Sequence, residues 1–213
     1  MTMNQEIMTR IEKGIQYREM QMRAADVDDR MIVEGYATTF NEPYVLWEDE
    51  EMRILEQVDA GAFEGADMRD VIMQYDHRGH VFARIRNNTL DVRTDDKGLF
   101  ISADLGGTEI GRQLYTEIKG GYTDKMSFAF TVTDENVDRR TEGKKRIVTR
   151  TITKIGKLYD VSAVSVPAND GTSISARSFC DGIIKEELEE SQRKLAEERA
   201  RKLIALKLRL LEV

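Results

Sequence analysis

The chain has 213 residues, of which 40% are hydrophobic and 33% charged, and its formal net charge is −7. No apolar run approaches the about 18–20 residues that span a membrane, and the acidic balance gives no overall attraction to nucleic acid or anionic lipid. The single cysteine, Cys180, excludes an internal disulfide framework and a multi-cysteine zinc site. The two histidines, His77 and His80, make a His-rich metal site unexpected. No secretory signal is visible, so we expect an intracellular globular protein.

Composition divides the chain into three parts. Residues 1–29 are polar, with an alternating stretch from Ile15 to Met22 that predicts a first strand or a frayed arm. Residues 30–178 have the pattern of short strands with one helix, and we expect them to form the folded domain. Residues 179–213 have the pattern of a charged amphipathic helix.

Alternating and β-branched residues predict most of the elements of the middle part. The predicted strands are 31–40, 51–58, 70–77, 81–86, 89–94, 98–105, 125–134, 146–155 and 157–166. Thr108 is the expected N-cap of a helix that ends at Gly120 and Gly121, and residues 136–145 are expected to form a polar loop. Short, closely spaced strands do not suit βαβ units. The sequence therefore predicts a mainly β fold with helices (α+β), an antiparallel barrel or sandwich covered by a helix.

Ser127 is the first candidate for chemistry. It lies on the predicted strand 125–134 between Met126 and Phe128, whose side chains share the opposite face. A serine in this position usually serves packing. The alternative is a nucleophile held by the strand, which needs an imidazole within hydrogen-bond reach.

The only imidazoles are His77 and His80. His77 follows Asp76 at the end of an apolar strand, where it is either a solvated strand-end histidine or a general base. His80 lies in a glycine-containing turn, and we expect it to be exposed.

Asp160 is a candidate acid. Strict alternation places it on the face of Leu158 and Val164, and a carboxylate among apolar residues is unusual unless it is paired. Exposure at a sheet edge is one explanation, and an acid that orients a histidine is the other. Ser162 and Ser165 are rival hydroxyls that spacing alone does not exclude. The residues alone permit a serine–histidine–acid site without demanding one, since no GxSxG, Walker, GxGxxG or HExxH motif is present.

Five segments occur in an order and spacing that resembles the tailed-phage prohead proteases of the HK97 type, over roughly residues 30–178. The segments are EGYATTFNEPY, DAGAF, VIMQYDHRGHVFARIRNNTLDVRTDDKGLFISADL, KMSFAF and LYDVSAVSVPAND. The resemblance implies a serine endopeptidase without cofactor or metal. It also implies a small antiparallel β-barrel with surrounding helices, distantly similar to the herpesvirus assembly proteases.

The resemblance also assigns roles to residues of this chain. His77 in QYDH matches the family histidine, Ser127 in KMSF matches the nucleophile, and Asp160 in LYDVS matches an acidic position that is often glutamate in the family. Ala83 stands where the family usually has glycine. His77 would then remove the Ser127 proton while Asp160 steadies the imidazolium. Backbone N–H groups or Arg150 are candidates for the oxyanion donor.

The C-terminal segment begins with Asp181 as the expected N-cap, and its apolar stripe includes Leu188 and Leu195. Such a helix packs on its own domain, self-associates, or docks on a scaffold or capsid segment. The resemblance implies recruitment into the growing prohead and removal by self-cleavage.

The resemblance implies a prohead maturation protease that cleaves scaffold, or the scaffold-like part of the major capsid protein precursor, and itself. It would act in the host cytoplasm inside the assembling prohead, as a homodimer or higher oligomer by analogy with the herpesvirus enzymes. The alternative is a non-catalytic scaffold or capsid-interaction protein that acts through its C-terminal helix. A hydrolase of small esters is disfavoured by the missing nucleophile elbow.

Overall fold

The computed structural model describes residues 13–27, 30–165 and 174–211. Within these residues the chain forms ten strands and two α-helices, with a short 3₁₀ turn at Ile85–Asn87. The strands are β1 (Ile15–Val27), β2 (Arg30–Thr39), β3 (Tyr44–Glu48), β4 (Met52–Val58), β5 (Ile72–Tyr75), β6 (Arg78–Arg84), β7 (Leu90–Thr94), β8 (Gly98–Asp104), β9 (Lys125–Glu142) and β10 (Lys145–Val164). The helices are α1 (Glu109–Lys119) and α2 (Ile174–Leu211). The predicted mainly β fold with helices is confirmed.

The strands form one mixed sheet. Hydrogen bonding connects them in the order β3-β4-β10-β9-β1-β2-β8-β7, and β5 pairs with β10 and with β6. The expectation of an antiparallel sheet is wrong at two neighbours of β10, because β4 and β5 both run parallel to it. Long stretches of chain separate these strands from β10, so no hairpin fixes their direction. The described strands form an open path, and closure into a barrel is not confirmed.

The longest hairpin joins β9 to β10. The expected polar loop at 136–145 is wrong, because β9 continues to Glu142 and the turn lies at Gly143 and Lys144. Gly143 has a φ of 64°, which glycine adopts without steric cost. The outer half of β9 is largely exposed and carries polar residues on both faces. Such a segment lacks the alternation by which a strand is recognised.

One face of β9 builds the hydrophobic core. Met126, Phe128 and Phe130 are each at most 1% exposed and pack in the main buried cluster, as their alternation predicts. Ser127 and Ala129 are also buried, but they lie outside that cluster. The inner half of β9 is therefore covered on both faces, and Ser127 belongs to the face away from the core.

A β-bulge in β10 reverses the alternation just before Asp160. Leu158 pairs with Phe130, whereas Asp160 pairs with the next β9 residue, Ala129, so that Tyr159 is an extra residue. Leu158 lies in the core, and Asp160 turns to the opposite face. The prediction that Asp160 shares the face of Leu158 is therefore wrong.

Helix α1 has the predicted boundaries. The Thr108 hydroxyl accepts a hydrogen bond from the N–H of Gly111 at 3.0 Å, and Gly121 follows the helix with a φ of 72°. Leu114 and Ile118 are buried in the core. The helix therefore covers one side of the sheet.

Helix α2 begins earlier than expected. It starts at Ile174, so Asp181 lies inside the helix and the predicted N-cap is wrong. Leu188 and Leu195 of the predicted stripe are 58% and 49% exposed. By its contacts the chain divides into two units, Met1–Ala176 and Arg177–Val213. None of the described helices has the length and apolar character needed to cross a membrane.

Candidate active site

His77 lies in a two-residue turn between β5 and β6. Tyr75 pairs with Arg78 across this turn, and Asp76 and His77 have φ values of 49° and 57°. Positive φ at both central residues is what the type I′ hairpin turn requires. The predicted strand 70–77 is therefore too long at this end. The turn directs the histidine out of the strand register, toward the neighbouring strands.

Asp76 connects this turn to the end of β10 by hydrogen bonds. Its backbone N–H donates to the carbonyl oxygen of Ala163 at 2.8 Å. Its carboxylate accepts the N–H of Ser165 at 2.9 Å and the Ser165 hydroxyl at 2.8 Å. These bonds hold the backbone beside His77 in a conformation that few residues other than glycine adopt.

Strand β10 lies between β9 and β5, which brings Asp160 close to Ser127. Ser162 is directly opposite Ser127 on β9, and Asp160 is opposite Ala129. Because residues of one parity share a face, the side chains of Ser127, Asp160 and Ser162 point to the same side of the sheet. The turn after β5 opens onto this side.

The side chains of Ser127, His77 and Asp160 form a hydrogen-bonded chain. His77 Nε2 lies 2.8 Å from Ser127 Oγ, and His77 Nδ1 lies 2.5 Å from Asp160 Oδ1. Ser127 and Asp160 are each 2% exposed, whereas the His77 side chain is 15% exposed. An ionised carboxylate only accepts hydrogen bonds, so Nδ1 carries the proton and Nε2 accepts the hydroxyl of Ser127. An imidazole held between a carboxylate and a hydroxyl is the arrangement that activates serine for attack on an acyl carbon.

The two rival serines bind carboxylates. Ser162 Oγ donates to Asp160 Oδ1 at 2.7 Å, and Ser165 Oγ donates to Asp76. Both residues were candidate hydroxyls in the sequence, but their contacts with carboxylates were not predicted. The available signal was a small hydroxyl residue inside an otherwise apolar run.

Tyr17 of β1 also contacts the histidine. Its ring meets that of His77 edge-to-face, with centroids 4.6 Å apart and an interplanar angle of 67°. The register opposite Ala129 places Tyr17 on the same face as Ser127. This contact was not predicted from the sequence, because residues 15–22 fit either a first strand or a frayed arm.

Arg150 does not lie beside Ser127. It lies farther along β10, opposite Val137, and its guanidinium is engaged in a buried ion cluster. It donates to Glu56 Oε2 at 2.7 Å and to Glu135 Oε2 at 2.9 Å. The described contacts therefore do not support Arg150 as an oxyanion donor.

The ion cluster is centred on Glu56, which is fully buried on β4 and also binds Arg18 and the hydroxyl of Tyr44. Burial alone would raise the pKa of Glu56, but the charge and hydrogen bonds of Arg18, with those of Arg150 and Tyr44, hold it below the ordinary value. Burial and the negative charge of Glu56 together raise the pKa of Tyr44. Glu56 is therefore ionised in the fold, and Tyr44 is neutral.

The second histidine, His80, lies on β6 and is exposed, as expected, although it belongs to a strand rather than to a turn. Within residues 13–27, 30–165 and 174–211, no group of three or more His, Cys, Asp or Glu side chains is arranged to hold a metal ion.

Comparison with known proteins gives one family. Residues 18–209 match the family described as caudovirus prohead serine protease. Among solved structures, the chain is similar to the bacteriophage T4 capsid assembly protease, gp21. That similarity has a sequence identity of 12% and a TM-score of 0.38, over 72% of this chain and 98% of that one. None of the curated proteins matches the sequence.

Proposed function

Because the chain belongs to the caudovirus prohead serine protease family, we propose that Ser127 is its nucleophile, His77 its general base and Asp160 the acid that orients the histidine. One observation carries this proposal. It is the chain of contacts from Ser127 Oγ through His77 to Asp160 Oδ1, at 2.8 and 2.5 Å. Ser127 and Asp160 lie on the paired strands β9 and β10, and His77 lies in a turn that is hydrogen-bonded to the end of β10. The geometry of the three side chains therefore depends on backbone that hydrogen bonds hold in place.

The proposed reaction is peptide-bond hydrolysis through an acyl-enzyme. His77 Nε2 takes the hydroxyl proton as Ser127 Oγ attacks the carbonyl carbon of the substrate. The imidazolium then gives this proton to the leaving amine, and a water molecule releases the acyl group by the reverse sequence. Asp160 stays ionised throughout and stabilises the imidazolium through Nδ1.

A strongly curved, barrel-like sheet is part of the proposal. Phe40, at the end of β2, forms an isolated parallel bridge with Val58, at the end of β4. These two strands are separated by β10, β9 and β1 in the order of pairing. A bridge between them supports a sheet that bends back on itself.

We propose that the substrates are the scaffold, the scaffold-like part of the major capsid protein precursor, and the enzyme itself. Cleavage would take place inside the assembling prohead, in the host cytoplasm, by a homodimer or higher oligomer. The net charge of −7 supports a function that needs neither nucleic acid nor a membrane surface. A non-catalytic scaffold that acts through the C-terminal helix is not favoured, because the family consists of serine proteases.

The test is the intact mass of each protein over time. Wild type and Ser127→Ala are each mixed with the capsid precursor encoded by the same phage. We expect the wild type to shorten the precursor or itself, and Ser127→Ala to leave both masses unchanged. Ser102→Ala is the matched control, because Ser102 is a half-buried serine on β8, remote from the site in the strand order.

Two results would contradict the proposal. Cleavage by Ser127→Ala at the rate of wild type would exclude this serine as the nucleophile. Folded wild type that cleaves neither itself nor the precursor, even within assembled proheads, would contradict the protease assignment of these residues.

A further inference from the structure

Ser162 occupies the centre of the strands that build the site. It is 0% exposed, and its neighbours across the sheet are Ser127 on β9 and Gln74 on β5. Its backbone is therefore paired on both sides. A buried hydroxyl at such a position is costly unless it forms a hydrogen bond.

That hydrogen bond goes to the acid of the site. Ser162 Oγ lies 2.7 Å from Asp160 Oδ1, and the same oxygen atom lies 2.5 Å from His77 Nδ1. A carboxylate oxygen accepts two donors at once through its two lone pairs. One oxygen of Asp160 therefore receives the hydroxyl from its own strand and the imidazole N–H from the turn.

The backbone of Asp160 is placed by the bulge at Tyr159, but a bulge does not fix the rotation of the carboxylate group. The torsion that turns a carboxylate is broad, because it joins a tetrahedral carbon to a planar one. The Ser162 hydroxyl supplies the missing restraint. It holds Asp160 Oδ1 in the position where this oxygen accepts the N–H of His77.

We propose that Ser162 is a positioning residue, which fixes the Asp160 carboxylate so that His77 keeps its Nε2 toward Ser127. This inference rests on the proposed function. Ser162 acts through Asp160 and does not touch the substrate. Its hydroxyl proton is directed to a carboxylate, which also argues against Ser162 as the nucleophile.

The hydroxyl also has an electrostatic effect. Its positive end faces Asp160 and offsets part of the negative charge that attracts a protonated His77. Removing the hydroxyl leaves a carboxylate that holds the imidazolium more strongly. The acidic limb of the pH–rate profile then moves to higher pH, because the histidine must lose its proton to act as a base.

The charged and titratable groups that share this side of the sheet on the neighbouring strands, or lie in or beside the turn, stay the same in such a variant. They are Tyr17 and Glu19 on β1, Lys125 on β9, and Asp76 and Arg78 in or beside the turn. A change in the pH profile of a Ser162 variant therefore reports on the contact with Asp160.

The experiment measures labelling by a fluorophosphonate, which forms a bond between phosphorus and an activated serine Oγ and releases fluoride. The labelled residue is identified by peptide mass, and the rate is followed from acid to alkaline pH. For Ser162→Ala we expect labelling at Ser127 about tenfold slower than in wild type, with the acidic limb at higher pH. Ser162→Cys is the second variant, because its thiol fills nearly the same space as the hydroxyl but is a weak hydrogen-bond donor. It controls for misfolding caused by an empty space, and we expect it to change the labelling rate and the pH profile in the same direction as Ser162→Ala.

The outcomes separate this inference from the proposed function. If Ser162→Ala and Ser162→Cys fold and are labelled with the rate and pH profile of wild type, the positioning role is wrong, whereas the triad stands. If wild type is labelled at Ser162, or is not labelled at Ser127, the proposed function itself is wrong. Slower labelling with an unchanged pH profile would assign Ser162 a structural role only.

Discussion

Ser127 and Ser162 lie directly opposite each other on β9 and β10, and their hydroxyls bind opposite ends of one hydrogen-bonded chain. Ser127 contacts the imidazole of His77, and Ser162 contacts the carboxylate that holds this imidazole. The two serines share a sheet face and are both buried. What distinguishes them is the turn after β5, which brings Nε2 to one hydroxyl and Nδ1 to the acid beside the other.

Replacing the histidine should remove the base. We expect His77→Ala to reduce fluorophosphonate labelling of Ser127 by about a hundredfold or more, because a positioned general base contributes about that much. His80→Ala is the matched control, since His80 is exposed on β6 and should leave the rate unchanged. A variant His77→Ala that is folded and labelled at the wild-type rate would exclude the imidazole from the reaction.

Two variants of Asp160 should separate the effect of its charge on activity from the effect of its shape. We expect Asp160→Asn to lower the labelling rate by about a hundredfold or more, because an amide can leave His77 in the wrong tautomer and does not stabilise the imidazolium. Asp160→Glu keeps the charge but adds one methylene group to a site that is 2% exposed. It should retain more activity than Asp160→Asn, and the reverse order would show that shape matters more than charge.

The hydrogen bonds of Asp76 to Ser165 should position the turn that carries His77. Asp76→Asn tolerates positive φ and keeps one acceptor oxygen, so we expect a small loss of activity. Asp76→Gly relieves the backbone but loses both bonds to Ser165, and labelling should fall by about tenfold or more as His77 loses its placement. Melting temperature and labelling rate are measured together. Equal activity of Asp76→Gly and wild type would show that the bonds to Ser165 do not position the histidine.

The buried ion cluster should dominate stability. Glu56→Gln leaves the cations of Arg18 and Arg150 without their shared carboxylate, which should cost about 3–5 kcal/mol in the free energy of unfolding. Urea titration at pH 7 measures this loss. Glu48→Gln is the control, since its ion pair with Lys145 is solvent-exposed and should contribute little.

The same carboxylate predicts a dependence on pH. The pKa of Glu56 lies below its ordinary value of 4.5, so its contribution is complete above that pH and is lost as the pH falls through the lower folded-state value. Wild type should therefore lose more stability in acid than Glu56→Gln does. Identical acid sensitivity of the two proteins would show that Glu56 is not the titrating group.

Much of the site could be anticipated from local pattern. The alternation around Ser127 identified the core face of β9, because an inner strand buries large and small residues on opposite sides. Thr108 and the two glycines after α1 fixed the limits of a helix, since caps act over a few residues. Local signals of this kind need no information from distant parts of the chain.

The remaining features depend on distant contacts. Strand β3 was not predicted, because the five residues Tyr44–Glu48 follow Pro43 and are too few to establish a period. The parallel pairing of β10 with β4 and β5 is decided by the path of the whole chain. The burial of Arg150 against Glu56 and Glu135 also could not be predicted from a Thr-rich strand. For this reason Arg150 was a candidate oxyanion donor in the sequence.

The extra residue at Tyr159 reverses the phase of β10 between Leu158 and Asp160, and it is the last of several irregularities along the pairing of β10 with β9. If β10 were regular from Leu158 onward, the carboxylate of Asp160 would point into the hydrophobic core and the side chain of Val161 would point away from it. Without this extra residue, an acid directly after Leu158 would lie opposite Ala129 and would reach the same place in space. The number of residues between Leu158 and the acid therefore decides which side of the sheet the carboxylate reaches.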